Sequence, residues 1–264
     1  MFMQLADFQM GFAEYGQGPP LLFIHGFPLN RKMWQPQIVE LSQVARVIAP
    51  DLRGHGESSA TLGTYGMDLL ADDCCTLLDN LGITQPVNLC GLSMGGYIAF
   101  AFYRRYPERV KGLILAATRA GPDSPEGKVN REKAVILVQE HGAPAIANSM
   151  LPKMLSVKTY IKRPELVEHI REIMENTSVD GIVGALLGMK ARPDSTPMLG
   201  QIAIPTLILH GIEDQLIPIG EAEALHRAIH GSSLGLLPDA GHLLNLEQPV
   251  LFNKHVNEFL DGKY

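Results

Sequence analysis

The feature of this sequence that most constrains its fold is an alternation between short apolar runs and longer segments with helical spacing. Six runs are rich in Val, Ile and Leu, and most of them end at Gly, Asp or Pro: PLLFIHG, ARVIAPD, PVNLCG, VKGLILAA, IPTLILHG and SLGLLPDA. Continuous apolar runs of this kind are typical of strands that are buried on both faces. Between them, apolar residues recur at helical spacing, as at Leu70, Cys74 and Leu77. The alternation predicts an α/β fold with a doubly wound, mostly parallel sheet.

Two regions depart from this alternation. The opening residues Met3–Tyr15 predict a hairpin at the edge of the sheet, because a Gly-Gln-Gly turn follows them. Between residues 119 and 197 no strand is expected, and helical stretches are separated by Gly and Pro. We predict a core made of residues 1–118 and 198–264, with a helical lid of residues 119–197 inserted after the sixth strand. Such a lid would cover the carboxyl edge of the sheet, where open α/β sheets bind ligands.

Composition narrows the classes of partner. The net charge of −6 argues against nucleic acid or an anionic membrane as the main partner, because phosphates would be repelled. No apolar stretch approaches the ~18 residues of a membrane span, and the opening residues do not resemble a secretory signal. The three cysteines, Cys74, Cys75 and Cys90, predict neither a disulfide framework nor a metal site. Free buried thiols in a reducing cytoplasm are the expectation.

The stretch NLCGLSMGGY carries the pattern G-x-S-x-G, with Ser93 at its centre. A predicted strand precedes Ser93 and a predicted helix follows it, which is the context in which this pattern holds a nucleophile on a strained turn. Gly91 and Gly95 lack a Cβ, so the strand and the helix can approach closely. We therefore predict that Ser93 is a nucleophile exposed at the carboxyl edge of the sheet.

A serine needs a base to accept its proton, and in this kind of sheet the acid and then the base follow the serine along the chain. Among the later histidines, His226, His230 and His255 fall within predicted helices. His210 ends a strand and precedes Gly211, so a place lining the pocket and a place in the core are both open to it. His242 lies in a loop between the last predicted strand and the final helix. A loop at the carboxyl edge of the sheet is where a mobile base is expected. We predict His242 as the base.

The acid that orients this imidazole should follow a strand on the same edge of the sheet. Asp214 comes just after the run IPTLILHG and meets that requirement. Asp239 is too close to His242 in sequence to hold its Nδ1 easily, and Glu213 should point away if Asp214 points inward. Asp123 is a less favoured alternative at the Pro-rich start of the lid. We predict Asp214 as the acid.

Two backbone N–H groups complete the predicted site as an oxyanion hole. The N–H of Met94 lies at the positive end of the helix that follows Ser93. The N–H of Phe27, after the strand PLLFI, can turn toward the serine. His25 in the same loop is interpreted as a structural brace.

The chain resembles α/β-hydrolases over essentially its whole length. The motifs that carry the resemblance are HGFPLN, DLRGHGES, GLSMGG, GIEDQLIP and DAGHLLNLEQP. They are similar to those of bacterial carboxylesterases, 3-oxoadipate enol-lactonases and cofactor-free haloperoxidase-like perhydrolases. The resemblance implies Ser93, Asp214 and His242 as the triad and Phe27 and Met94 as the oxyanion residues. It also implies that no metal or organic cofactor is needed.

A serine at position 93 disfavours dehalogenases and epoxide hydrolases, which attack with a carboxylate. We predict hydrolysis of small, largely uncharged carboxylic esters through an acyl-enzyme. The alternatives are an enol-lactonase type of activity, with a perhydrolase side activity, and a ligand receptor that retains the hydrolase scaffold. Arg119 or Arg192 would hold the carboxylate of a lactone substrate, although surface arginines are commoner.

Apolar lid residues are candidates for the substrate pocket, although their helical spacing fits ordinary packing equally well. The predicted pocket residues are Met150, Leu151, Met154, Leu186 and Leu187. Leu155 and Met189 share the same spacing.

Overall fold

The computed structural model describes residues 1–263 and contains one eight-stranded sheet. The strands are β1 Phe2–Gln4, β2 Gln9–Tyr15, β3 Pro20–Ile24, β4 Arg46–Pro50, β5 Val87–Leu92, β6 Val110–Ala116, β7 Thr206–Gly211 and β8 Ser233–Leu237. Their order in the sheet is β1-β2-β4-β3-β5-β6-β7-β8. Strands β3 to β8 pair in parallel, whereas β1 and β2 form the antiparallel edge. The predicted edge hairpin and the mostly parallel sheet are therefore confirmed.

Helices cover both faces of the sheet. They are α1 Gln35–Leu41, α2 Met67–Asn80, α3 Met94–Arg105, α4 Pro125–His141, α5 Ala143–Met150, α6 Val157–Lys162, α7 Pro164–Glu175, α8 Val179–Ala191, α9 Ile219–Ala228, α10 Leu244–Glu247 and α11 Pro249–Leu260. Strand β3 shows why its apolar run is continuous. Leu22 and Ile24 pack into the core cluster on one face, and Leu21 and Phe23 into the cluster on the other. Both sets are fully buried because successive side chains of a strand point to opposite faces.

Five helices, α4 to α8, lie between β6 and β7, and no strand occurs there among the described residues. Helix α6 was not predicted from the sequence, because its six residues are too few for a helical period to be read. Ser156 begins it by accepting a hydrogen bond from the Thr159 N–H. The division of the chain into a core and a lid at residues 119 and 197 stays a prediction.

The carboxyl ends of the parallel strands bring four loops to one edge of the sheet. Ser93 directly follows β5, and Phe27 lies three residues beyond the end of β3. Asp214 follows β7, and His242 follows β8. Because these strands run in parallel and in register, residues distant in sequence meet at this edge.

Candidate active site

Ser93 occupies a strained turn between β5 and α3. Its φ is +56° and its ψ is −112°, a combination that non-glycine residues rarely adopt. The surrounding backbone fixes this conformation, since the Ser93 N–H donates to the Ala116 carbonyl at 2.9 Å and the Thr118 hydroxyl donates to the Ser93 carbonyl at 2.8 Å. A Cβ on Gly95 would lie 2.1 Å from the Ile24 carbonyl oxygen, so only glycine allows this approach.

His242 and Asp214 meet at the same edge. The Nδ1 of His242 lies 2.8 Å from the Oδ2 of Asp214, and both side chains are almost completely buried. The other carboxylate oxygen of Asp214 accepts the N–H groups of Leu216 and Ile217 at 2.8 and 3.0 Å. These bonds fix the carboxylate in the plane that the imidazole requires, so Nδ1 donates and Nε2 is left to act on a neighbouring proton.

The environment of Asp214 favours its ionised form. Burial alone would raise its pKa, but the nearby His242 and the two backbone N–H donors outweigh burial and hold the pKa below the ordinary value. His210 lies 3.8 Å from the same carboxylate and donates its Nε2–H to the Ile217 carbonyl at 3.0 Å. Burial lowers the pKa of His210, although Asp214 opposes this, so His210 is a neutral packing partner. Of the two places that the sequence leaves open for His210, the structure shows the one in the core.

The loop after β3 packs against the serine. A Cβ added to Gly26 would lie 3.4 Å from the Ser93 Cβ, which places the Gly26–Phe27 backbone beside it. His25 braces this loop, since its Nδ1–H donates to the Gly26 carbonyl and its Nε2 accepts the Leu52 N–H, both at 2.9 Å. Burial lowers the pKa of His25 to about 4, which keeps the imidazole neutral.

The N–H of Met94 is the first donor of α3. The first N–H groups of a helix have no partner within it, and they point toward its positive end. Met94 follows Ser93 directly at the start of α3, and Phe27 lies in the loop that packs beside Ser93, so the two predicted oxyanion residues come from two elements next to the serine.

A cavity of about 130 Å³ lies over the serine. Its lining is Phe27, Ser93, Tyr97, Arg119, Arg131, Met150, Met189, Leu216, Ile217 and His242. Ser93 and His242 therefore face the same space, together with side chains from helices α4, α5 and α8. A larger cavity of about 680 Å³ adjoins it, and the two share Phe27, Arg119, Arg131 and Met150. These four residues mark the boundary between the inner cavity and the outer cavity, and we call this boundary the neck.

The predicted pocket residues fall into two groups. Met150 lines both cavities, and Leu186 lines the outer one. Leu151 and Met154 are fully buried in the hydrophobic cluster of the sheet face that includes Trp34, and they line neither cavity. Leu187 is half-buried and also lies outside both linings. The physical reason is that adjacent positions of a helix point in different directions, and the sequence does not say which direction faces the sheet edge.

Several lining residues were missed. Leu216 and Ile217 follow Asp214 directly, and an apolar pair just beyond a strand-end acid was a signal that could have marked them. Arg131 lies on α4, whose apolar residues are not gathered on one face. Nothing in the local sequence distinguishes Arg131 from an ordinary surface arginine.

A buried carboxylate ties the histidine loop to the helical segment. Glu247 accepts the N–H of Gly241 at 2.7 Å, the N–H of Ser156 at 2.8 Å and the hydroxyl of Thr159 at 2.7 Å. Gly241 immediately precedes His242. The position of the imidazole therefore depends on contacts with residues that start helix α6.

Residues 1–263 contain neither a metal-binding cluster nor a membrane-spanning helix. No group of three His, Cys, Asp or Glu side chains in this range is arranged to hold a metal ion. None of the described helices is long and apolar enough to span a membrane. Cys74, Cys75 and Cys90 are free and buried, and burial raises the pKa of each thiol.

This sheet order, with a serine on the strand-to-helix turn and an Asp–His pair after later strands, defines the α/β-hydrolase class. The family model of the alpha/beta hydrolase fold matches residues 19–140. The chain is 33% identical over 252 residues to 3-oxoadipate enol-lactonase 2 of Acinetobacter baylyi, a match covering 95% of this chain and 92% of that protein. The chain belongs to the α/β-hydrolase family and is a hydrolase.

Solved structures agree with this assignment. A thermophilic esterase from Thermogutta terrifontis superposes with a TM-score of 0.95 at 44% identity, covering 97% of this chain and 94% of the esterase. The enol-lactonase from Burkholderia xenovorans has a TM-score of 0.92 at 29% identity, covering 99% of this chain and all of that one. The likeness spans the helical segment as well as the sheet.

Proposed function

We propose that the protein is a serine ester hydrolase that acts on small carboxylic esters through an acyl-enzyme. Ser93 is the nucleophile, His242 the general base and Asp214 the acid that orients the base. The backbone N–H groups of Phe27 and Met94 stabilise the oxyanion. The esterase from Thermogutta terrifontis and the enol-lactonases among the similar proteins support ester chemistry.

In the proposed mechanism each proton has a defined route. His242 Nε2 takes the proton of the Ser93 hydroxyl as its oxygen attacks the ester carbonyl, and the negative charge forms between the two N–H donors. The resulting imidazolium is stabilised by Asp214 across the 2.8 Å contact. The same proton then passes to the leaving alcohol, and a water molecule repeats the sequence to release the acid.

The observation that carries the proposal is the Asp214–His242 bond at the edge where Ser93 occupies its strained turn. Strain of this kind costs of order 1–3 kcal/mol and persists where the surrounding structure imposes it. The inner cavity supports a substrate whose ester end is small, because its volume of about 130 Å³ is far below the 680 Å³ of the outer cavity.

The proposal is tested by p-nitrophenyl ester hydrolysis. The wild type should release p-nitrophenol from acetyl and butyryl esters, and Ser93→Ala should reduce kcat by a factor on the order of 10⁴ or more. Ser42→Ala, a serine at the end of α1, is the matched control and should retain wild-type rates. Equal rates for wild type and Ser93→Ala would exclude Ser93 as the nucleophile.

Lactones form a second candidate substrate class. A lactone is a cyclic ester, so the same groups would open its ring and leave the alcohol attached to the product. The similarity to enol-lactonases from Acinetobacter baylyi and Burkholderia xenovorans favours this candidate. Ser93-dependent opening of a five-membered lactone, measured by titration of the released acid, distinguishes it from hydrolysis limited to open-chain esters.

We further infer that residues 119–197 act as a lid over a core of residues 1–118 and 198–264. The support is that lining side chains from α4, α5 and α8 close the cavity over Ser93. A cytoplasmic location is supported by three free, buried cysteines, which suit a reducing compartment.

A further inference from the structure

The neck between the two cavities is cationic, although the protein as a whole carries a net charge of −6. Arg119 and Arg131 line both the inner cavity beside Ser93 and the outer cavity. Lys133 and Lys153 also line the outer cavity, and Asp123 is the one acid among the described residues of its lining. The outer cavity therefore has four cationic side chains and one carboxylate in its lining, so its net charge is positive.

Asp123 organises the cationic residues but does not neutralise them. Its buried carboxylate contacts Arg119 at 2.8 Å, Arg131 at 3.0 Å and Arg192 at 2.8 Å. Burial would raise the pKa of Asp123, but Arg131 and Arg192 outweigh burial and lower it, so the carboxylate stays ionised. One negative charge among three guanidinium groups leaves an excess of two positive charges.

The three arginines differ in how many donors remain for a ligand. Arg192 is locked, because it donates to the carbonyls of Met189 and Gly121 at 3.0 Å each and stacks 4.2 Å above the Tyr97 ring. Arg119 gives one hydrogen bond to Asp123, and its Nε–H has no partner. Arg131 likewise gives one bond, from Nε to Asp123.

A guanidinium has five N–H donors in a planar fork that matches a carboxylate. Arg119 and Arg131 are each about one quarter exposed, at 26% and 22% of the side chain, and both line the neck. Being held by Asp123, they are oriented before a ligand binds, which reduces the entropy cost of binding.

Resting on the proposed ester hydrolysis, we propose that Arg119 and Arg131 form a carboxylate-binding subsite for the part of the substrate away from the reacting carbonyl. The substrates it favours are small esters that carry a carboxylate a few bonds from the ester group, such as monoesters of short dicarboxylic acids. Arg192 is excluded from the subsite, since it lines neither of the two cavities and is held by Asp123 and two backbone carbonyls. The subsite extends the substrate range beyond uncharged esters and acts on binding, not on the chemical step.

Two pairs of isosteric esters test the subsite. Monomethyl succinate and methyl levulinate differ in that a methyl replaces one carboxylate oxygen on the acyl side. Acetoxyacetate and acetoxyacetone differ in the same way on the alcohol side. For at least one pair, the wild type should show the higher kcat/KM for the carboxylate member at low salt.

The ratio of kcat/KM within the favoured pair is the discriminating quantity. Arg119→Gln and Arg131→Gln should each lower this ratio by about 10- to 100-fold, the usual contribution of a hydrogen bond to a charged group. Asp123 keeps two arginine partners in either variant, so its site remains paired. Arg227→Gln, which removes the same charge from an exposed position on α9, should leave the ratio at its wild-type value.

Binding is measured separately from turnover. In the Ser93→Ala background, calorimetric titration with the carboxylate ester of the favoured pair should show a Kd that Arg119→Gln weakens by the same factor. If Ser93→Ala retains full hydrolysis of methyl levulinate, the proposed nucleophile is wrong, and the titration still decides the subsite. The subsite is excluded, while the ester hydrolase stands, if the kcat/KM ratios of both ester pairs are unchanged in Arg119→Gln and Arg131→Gln and the Kd is unchanged in Arg119→Gln.

Discussion

The sheet edge supplies Ser93, Asp214 and His242 from loops that follow parallel strands, whereas the helical segment supplies Arg131 and Met150 from two separate helices. On the sheet side, backbone hydrogen bonds and strand register fix each side chain. On the helical side, position depends on how amphipathic helices pack against the sheet and against one another. The candidate catalytic side chains are therefore positioned by local, repeatable geometry, and the cavity-lining side chains of the helical segment are positioned by long-range packing.

The charges of the two sides differ as well. The sheet side buries the ionised Asp214 against His242, and two further buried histidines, His25 in the loop after β3 and His55 beside it, are neutral. The helical side presents arginines around Asp123. A reaction that develops negative charge at one end and recognises a carboxylate at the other would use this separation.

The largest expected effect falls on the sheet side, in Asp214→Asn. An amide cannot hold the imidazole in the required tautomer or stabilise its charged form, so kcat should fall by a factor on the order of 10⁴ with little change in KM. Ester hydrolysis at pH 7.5 measures it. Glu213→Gln changes the neighbouring, exposed acid and should keep wild-type rates, and a similar loss in both variants would remove the special role of Asp214.

The second effect crosses the boundary between the two sides. Both carboxylate oxygens of Glu247 accept hydrogen bonds from N–H or O–H groups. In Glu247→Gln, an NH₂ group replaces one of these oxygens, so a donor faces a donor and at least one hydrogen bond is lost. Unfolding free energy should fall by about 2–4 kcal/mol, and kcat by about 100-fold as the His242 loop shifts.

Urea unfolding and steady-state kinetics on one preparation measure both quantities. Glu223→Gln, an exposed acid on α9, is the control. An unchanged kcat alongside reduced stability would separate the helical segment from the positioning of His242.

The third effect distinguishes two neighbouring residues of the helical side. Leu151→Ala removes a fully buried side chain and should lower the unfolding free energy by about 2–5 kcal/mol without altering acyl-chain preference. Met150→Ala enlarges both cavities, so it should shift kcat/KM by about tenfold toward longer acyl esters with a smaller stability cost. Hydrolysis of esters of increasing acyl length measures the preference, and urea unfolding measures the stability. A change of acyl-chain preference in Leu151→Ala but not in Met150→Ala would contradict the assignment of Met150 to the cavity lining.

The smallest effect is a pH dependence confined to the sheet side. Burial lowers the pKa of His25 to about 4, and burial together with the nearby His25 lowers that of His55 to about 3. The unfolded chain takes up protons at these positions near pH 6.5 while the folded chain does not, so stability is lost as pH falls from about 6.5 toward 4. Each histidine should contribute roughly 2 kcal/mol of this loss by pH 5.

Urea unfolding at pH 7.5 and pH 5.0 tests this dependence. In His55→Asn, the loss of unfolding free energy between pH 7.5 and pH 5.0 should be smaller than in the wild type by the contribution of one histidine. His141→Asn removes an exposed histidine of the helical segment and should leave the dependence as in the wild type. An unaltered slope in His55→Asn would show that this imidazole is protonated in the folded state.

The sequence predicted the sheet side well because its signals are local. A strand, a glycine-flanked serine and a helix fix the Ser93 turn, and Asp214 and His242 follow strands whose parallel pairing brings their ends together. The predicted strands and the edge hairpin are confirmed for the same reason, since apolar runs buried on two faces have few alternatives.

The helical side was predicted less well, because apolar residues at helical spacing are compatible with many ways of packing the helices against the sheet. Met150 and Leu151 are adjacent and both apolar, yet one lines the cavities and the other packs against the sheet. The sequence does not distinguish Arg119 from Arg192 as a ligand for a carboxylate, and it gives no signal that marks Arg131. Hydrogen bonds to Asp123 and the backbone, which sequence spacing does not encode, separate these three arginines.

Covalent trapping of the acyl-enzyme tests the central claim most directly. Wild-type protein quenched in acid during turnover of p-nitrophenyl acetate, digested and analysed by mass spectrometry, should carry one acetyl group on the peptide that contains Ser93. Asp214→Asn should carry less and Ser93→Ala none. An acetyl group on another residue that forms and decays at the rate of turnover, or steady hydrolysis by Ser93→Ala, would contradict the assignment of the chemistry to this edge of the sheet.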